Sequence, residues 1–339
     1  MYWQRNRDTE TSAIPSRLSL VAGLIIGLMS APLAATVGLA QDWTPDRDVE
    51  FVVPFGVGGG ADLLARTVTK IIQENNLVPV NIGIVNKPGG GTAVGVSYVA
   101  ATKDGDPHTL VLVNPQTQIT PLRVEGALGW RDLTPVANLL LDDYLILALS
   151  SSEFDDIADL VESAKAREPR AISIGSAGTA DDMAIAVLEA ASGIKLNTVR
   201  FDSGGEVLTA MLGGHVDLAA GNPLEFMGHL TNGEVKGLGV FRETRFEELP
   251  DVRTLAEQGI EAQPFQMWRG IAMPANVPEE AITYWTDIMR QVAESENYRA
   301  YVDANFATWD YRGPDEFKSF LEAQEATYAE MLKQLGITQ

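Results

Sequence analysis

The 339-residue chain contains no cysteine. That excludes disulfides, thiolate metal sites, a cysteine nucleophile and a lipid-modified N-terminal cysteine. Histidine is nearly as scarce: His108, His215 and His229 are too few for a histidine-rich metal centre. Positive charge is also short, with 25 Lys and Arg against 46 Asp and Glu, a formal charge of −21. No basic stripe offsets this, so neither a nucleic-acid backbone nor an anionic lipid surface is the expected partner. Apolar material is plentiful, at 45% hydrophobic residues beside 21% charged. Real cores can form, and the length favours two domains over one.

The N-terminus reads as an address. Arg5, Arg7 and Arg17 precede the apolar stretch 18–29, and small residues follow up to Gly38-Leu39-Ala40. A positive start, a short apolar run and small residues at a cut site make a secretory signal peptide over 1–40. An uncleaved anchor is the alternative, because 18–40 is long enough to span a bilayer. Ser30, Pro32 and Thr36 in its second half speak against that. With no cysteine to carry lipid, a freely diffusing periplasmic protein is expected.

The rest alternates short β-branched runs with helical periods. Strands are predicted over 49–54, 80–85 and 109–113, with helices over 61–74 and 92–102 between them. This β-α-β-α-β order implies a mostly parallel sheet with helices on its faces. The pattern then restarts, with strands over 144–149, 171–174, 198–201, 216–220 and 235–240. Helices over 157–166, 181–191 and 206–212 alternate with these, and a further helix is read over 253–258. After a strand over 268–273 the chain is mostly helical, at 278–295, 296–305 and 314–335. The economical reading is an α/β protein of two lobes. Lobe 1 comprises 43–140 plus 267–339 and lobe 2 comprises 141–266, with the hinge crossed near 133–141 and 263–269. Trp268 would stand at the return crossing and report closure.

Three turns between a strand end and a helix start carry the chemistry. The first is Phe55-Gly56-Val57-Gly58-Gly59-Gly60-Ala61-Asp62. Glycines let backbone N–H groups approach an anion, and the helix start adds its positive dipole. The same residues partly match a dinucleotide fingerprint, but Val85-Asn86-Lys87-Pro88 replaces the acidic residue that ribose would need. The second turn is Ser176-Ala177-Gly178-Thr179 and the third Asp202-Ser203-Gly204-Gly205. Singly, each reads as well as ordinary helix capping. Together they converge where open α/β sheets bind ligands.

Catalytic machinery is not found. Asp202-Ser203-Gly204-Gly205 looks like a trypsin-type nucleophile segment, yet only His108 lies upstream and the α/β order is wrong for that fold. Gly-x-Ser-x-Gly and His-Glu-x-x-His are absent. The pairs Asp142-Asp143, Asp155-Asp156 and Asp181-Asp182 are adjacent in sequence and read as solvated turns. No catalytic residue, metal or cofactor is expected.

Several motifs in order resemble a known group. They are Phe51-Val52-Val53-Pro54-Phe55 with its glycine turn, Asn86-Lys87-Pro88-Gly89-Gly90-Gly91 and Phe201-Asp202-Ser203-Gly204-Gly205. Leu212-Gly213-Gly214-His215-Val216-Asp217, Leu249-Pro250-Asp251-Val252-Arg253-Thr254-Leu255 and Met267-Trp268-Arg269-Gly270 follow. Over about 45–337 the chain resembles the substrate-binding receptors of tripartite tricarboxylate transporters, the TctC or Bug family. The resemblance implies a two-lobed, type II-like periplasmic binding fold and no enzymatic activity. It further implies a monomer that closes on a carboxylate and delivers it to large and small membrane permease subunits. Ligand contacts are then expected from Phe55, Gly56, Val57, Gly58, Gly59, Gly60 and Asp62, and from Ser176, Ala177, Gly178 and Thr179. Asp202, Ser203, Gly204 and Arg269 complete them, with Asn114 and Gln116 tuning the ligand. Trp268-Arg269-Gly270 resembles the tricarboxylate branch, so citrate or another tri- or dicarboxylate comes first. Asp62 is awkward beside an anion and is read as hydrogen-bonding its own turn. A sensor-docking receptor is the alternative with the same site, and an exported hydrolase the remote one.

Overall fold

A computed structural model describes residues 43–262 and 265–337, so the expected leader 1–40 lies outside the described residues. Among them, no helix is long and apolar enough to cross a membrane. The first sheet begins with β1 (Val49–Val53), which pairs in parallel with β2 (Ile82–Asn86) and β3 (Thr109–Val113). The crossovers are α1 (Gly60–Glu74) and α2 (Ala93–Thr102). In α1, Leu64, Val68, Ile71 and Ile72 recur at helical spacing and bury one stripe in the core with Phe51 and Val53. The chain continues through α3 (Gln116–Arg123) into the long strand β4 (Leu133–Asp143).

After Tyr144 it changes sheet. The second sheet comprises β5 (Leu145–Leu149), β6 (Ser173–Ser176), β7 (Asn197–Arg200), β8 (Leu218–Gly221) and β9 (Val235–Val240). Their spatial order is β7-β6-β8-β5-β9, connected through α4 (Ile157–Ala166), α5 (Thr179–Ser192), α6 (Gly204–Leu212) and α7 (Pro223–Thr231). β10 (Gln266–Pro274) then returns to the first sheet between β3 and β4, antiparallel to both. Helices α8 (Glu279–Glu294) and α9 (Glu296–Ala304) follow, then β11 (Thr308–Arg312) as an edge strand on β4. The first sheet reads β11-β4-β10-β3-β1-β2. The last helix, α10 (Pro314–Gln334), touches two cores: Phe317 and Leu321 pack beside Trp268, while Tyr328, Met331 and Leu332 join Ile174 and Leu188.

Several expected bounds shift. The helix read over 253–258 shrinks to a 3₁₀ turn, Ala256–Gln258, because Val240 and Leu255 use their backbones to tie this stretch to the end of β9. Trp268 does not face the crevice; its indole is 1% exposed, donates to Tyr328 Oη at 3.1 Å and packs edge-on against Phe317.

Candidate ligand-binding site

The turn between β1 and α1 is held by Asp62. Its Oδ2 accepts from the Gly58 N–H at 3.0 Å, and its Oδ1 accepts from Asn86 Nδ2 at 3.0 Å. Arg66 binds both oxygens from the next helical turn, at 2.8 and 3.0 Å. Burial would raise the Asp62 carboxyl, but the donors from Arg66, Gly58 and Asn86 outweigh it and hold the group below its ordinary range. Gly58 has φ +83°, a left-handed conformation that costs glycine nothing.

The second and third turns use the same device. Ala177 N–H donates to Asp181 Oδ2 at 2.6 Å, and Ser176 Oγ donates to Asp182 Oδ1 at 2.9 Å. Ser203 Oγ caps α6 by accepting from the Glu206 N–H, while Glu206 Oε2 accepts from Asp202 N–H. The first and third turns then meet across the sheets. Gly56 N–H donates to Asp202 O at 3.0 Å, and a Cβ built on Gly205 would come within 2.9 Å of Gly58 O. Only glycine allows this approach.

Two adjoining cavities lie where the turns converge. The larger, of about 410 Å³, is lined by Pro54, Phe55 and Gly89 to Thr92 from the first sheet's side. Gln116, Thr120 and Arg123 join them, and Ala177 to Thr179, Asp182 and Arg200 to Asp202 face them. Arg123 and Arg200 both pair with Asp182, at 3.3 and 2.9 Å. The smaller cavity, of about 20 Å³, shares Phe55, Gln116 and Ala177 and adds Gly59, Gly60, Asn114, Ser203, Gly204 and Arg269. Asp181, Asn222 and Glu225 also line it. Other candidate residues stand apart from both. Val57 is exposed, Gly56 and Gly58 face the third turn, and Asp62 and Ser176 are turned into their own loops.

Arg269, 2% exposed, is the charge at the centre. Its Nη2 donates to Asp142 Oδ2 at 3.1 Å and to Asn222 Oδ1 at 3.2 Å, and stands 4.0 Å from Glu225 Oε1. Glu225 Oε1 in turn accepts from the Gly60 N–H at 2.8 Å. One carboxylate of the chain therefore occupies the start of α1. Asp142-Asp143 and Asp181-Asp182 were expected in solvated turns, and this fails. Asp142 and Asp143 end β4 inside the molecule, and Asp181 lies in the first turn of α5, accepting from Tyr144 Oη at 2.9 Å. Burial pushes Asp142 up to about 7 against the opposing pull of Arg269. Burial, with Glu225 adding to it, pushes Asp181 up to about 7.

Sequence reasoning missed Glu225, Asn222, Asp181, Thr120, Arg123 and Asp182. Asn222-Pro223 was a usable signal, since proline at the first helical position marks a helix start and hence a strand-end turn.

Residues 64–337 match the receptor family of tripartite tricarboxylate transporters, TctC. The chain belongs to that family. The matched span holds the second and third turns, Asn114, Gln116 and Arg269, and begins just after the first turn. Among curated relatives, BugT of Bordetella pertussis is 23% identical over 92% of this chain and 96% of its own length. Among solved structures, the periplasmic binding protein BugD superposes with a TM-score of 0.81 at 23% identity, covering 87% of this chain and 99% of that one. The R. palustris protein Rpa4515, solved with adipate, gives 0.80 at 25% identity, covering 88% and 99%. Family and fold are those of two-lobed periplasmic solute-binding receptors, not of enzymes.

Proposed function

We propose that this receptor captures a small carboxylate between its lobes in the periplasm and hands it to the membrane permease subunits of a tripartite transporter. Export through residues 1–40, without a lipid anchor, belongs to this reading. The observation that carries it is the meeting of strand-end turns from both sheets around adjoining cavities. A ligand that touches both sides favours the closed form, whereas one touching a single side shifts nothing. The lobes are 43–140 plus 267–339 and 141–266, moving about β4 and β10.

The anion is held locally. Backbone N–H groups, the hydroxyl of Thr179, and the guanidinium groups of Arg123 and Arg200 act at contact distance, where they outweigh the diffuse negative field. Adipate in a neighbour supports a dicarboxylate over citrate. Arg269, expected among the ligand contacts, is already matched by Asp142. A thermal-shift screen over mono-, di- and tricarboxylates tests the reading. At 100 times Kd a ligand bound only by the folded state adds about 2.7 kcal/mol. A melting temperature unmoved by every member, adipate and citrate included, would sink it.

A further inference from the structure

The glycine turns at the starts of α1 and α6 touch each other, and the contact is built from the chain's own atoms. Gly56 N–H donates to Asp202 O at 3.0 Å. A Cβ on Gly56 would stand 3.1 Å from Ser203 Cβ, and one on Gly205 would stand 2.9 Å from Gly58 O. Glycine on each side of the seam thus leaves room for the opposite turn. One side chain joins in. The N-cap position of α1 is Gly59, which offers no side-chain cap. The Gly60 N–H is taken instead by Glu225 Oε1 at 2.8 Å, reaching over from the first turn of α7. Gly204 leaves the space for that carboxylate, since a Cβ there would collide with Glu225 Oε2. On another flank the hydroxyls of Thr120 and Thr179 share a hydrogen bond at 3.0 Å.

Each of these bonds joins elements of the first sheet to elements of the second, and each has both its ends in the protein. We propose that the two glycine turns form a clasp, a backbone-to-backbone catch that fastens 141–266 to the rest of the molecule and by itself favours the closed form. This rests on the reading that the lobes move about β4 and β10, and it adds the element that holds them shut. Opening breaks the Gly56–Asp202 bond. One net hydrogen bond is worth a factor of about five in such an equilibrium. A ligand then acts on a balance that the clasp has already tilted. Because its bonds lie within the chain, the clasp lends the same factor to every ligand. It contributes to hold, not to choice.

The chain has no cysteine, so two introduced thiols would be its only ones. Leu63→Cys on α1 and Leu212→Cys on α6 replace exposed side chains on the helices that leave the clasp. Spin labels there, measured by pulsed electron resonance in buffer without added carboxylate, should show a main distance matching the separation of the two sites in the structure. Gly205→Ala in the labelled protein favours helix but drives a Cβ against Gly58 O. It should lower the ratio of short to long distances at least about fivefold. Gly56→Ala, from the other side, should act in the same direction with a smaller effect, because its Cβ meets Ser203 less closely. Gly228→Ala, also helical but with open space around it, should change nothing. A parent with no short-distance population, or an unchanged distribution in a folded Gly205→Ala, overturns the clasp. So does a Gly228→Ala that opens the molecule as far as Gly205→Ala does. Should Gly205→Ala fail to fold, Gly56→Ala decides by the same two outcomes. The thermal-shift screen is independent of these distances. Its silence would remove the carboxylate reading and leave the clasp, whereas an overturned clasp leaves that reading standing.

Discussion

The larger cavity and the centre beside it are both lined by charged residues from the two sheets, yet they hold charge differently. In the larger one Arg200 keeps 63% of its side chain in solvent while sharing Asp182 with Arg123. In the centre Arg269 and Asp142 have 2% and 0% of theirs exposed. An ion pair in water gains little, because solvent already satisfies both ends. A buried pair must replace that solvation with its own geometry, and losing one partner strands the other. The outer pairs can therefore open at little cost, whereas the central pair is part of the frame.

The sharpest break of that contrast is Arg269→Met. It strands Asp142 in a fully buried position and should cost about 3–5 kcal/mol of stability. Asp142→Leu added to it should restore most of the loss, since an apolar pair of similar volume needs no counter-charge. Chemical denaturation of the single and double variants measures both. A single variant within 1 kcal/mol of wild type, to order of magnitude, would mean the central pair behaves like an outer one.

How much of this was legible before folding follows the same division. Runs buried for their own sake could be read: β3 and β9 fall where alternation and β-branching put them, and the periodic stripe of α1 announces its core face. The glycine turns were also visible, because close backbone approach demands glycine. What could not be read depends on partners far along the chain. β11 is half-buried and mixes Trp309 and Tyr311 with charge, so it looks like a loop until β4 pairs with it. Glu225 reads as an ordinary acidic residue in a helix's first turn; its contact with Gly60 bridges 165 residues. Asp142-Asp143 could have warned, since the pair interrupts the apolar stretch 136–149, where charge needs a buried counterpart.

Acidity sharpens the comparison with a smaller effect. Asp142 and Asp181 stand near 7 in the folded protein, against 3.8 when unperturbed. Between those values the folded state binds more protons than the unfolded chain, so their contribution to stability falls as pH rises from about 4 to about 7 and is level above. Each group adds a slope of at most about 1.4 kcal/mol per pH unit. Asp181→Asn should therefore lower the melting temperature less between pH 5 and pH 8 than the wild-type protein does. Identical pH curves for the two would show that Asp181 is ionised throughout and that solvent reaches it.

The least change is expected at the rim. Arg200→Ala removes a guanidinium that is mostly in water and leaves Asp182 with Arg123 and with the Ser176 hydroxyl, so it strands nothing. Its cost to folding should be about 0–1 kcal/mol and should shrink further in high salt. Its effect on ligand capture should be larger than that, because the same guanidinium lines the larger cavity in a chain of formal charge −21. Removing a local positive charge there slows the approach of an anion more than it weakens the frame. Stopped-flow association of a carboxylate found to bind, measured at low and high ionic strength, separates the two roles. A lower association rate at low salt that converges on wild type at high salt assigns Arg200 to steering. A large loss of stability with an unchanged association rate would instead place Arg200 with the central pair, and the distinction between rim and centre would no longer hold.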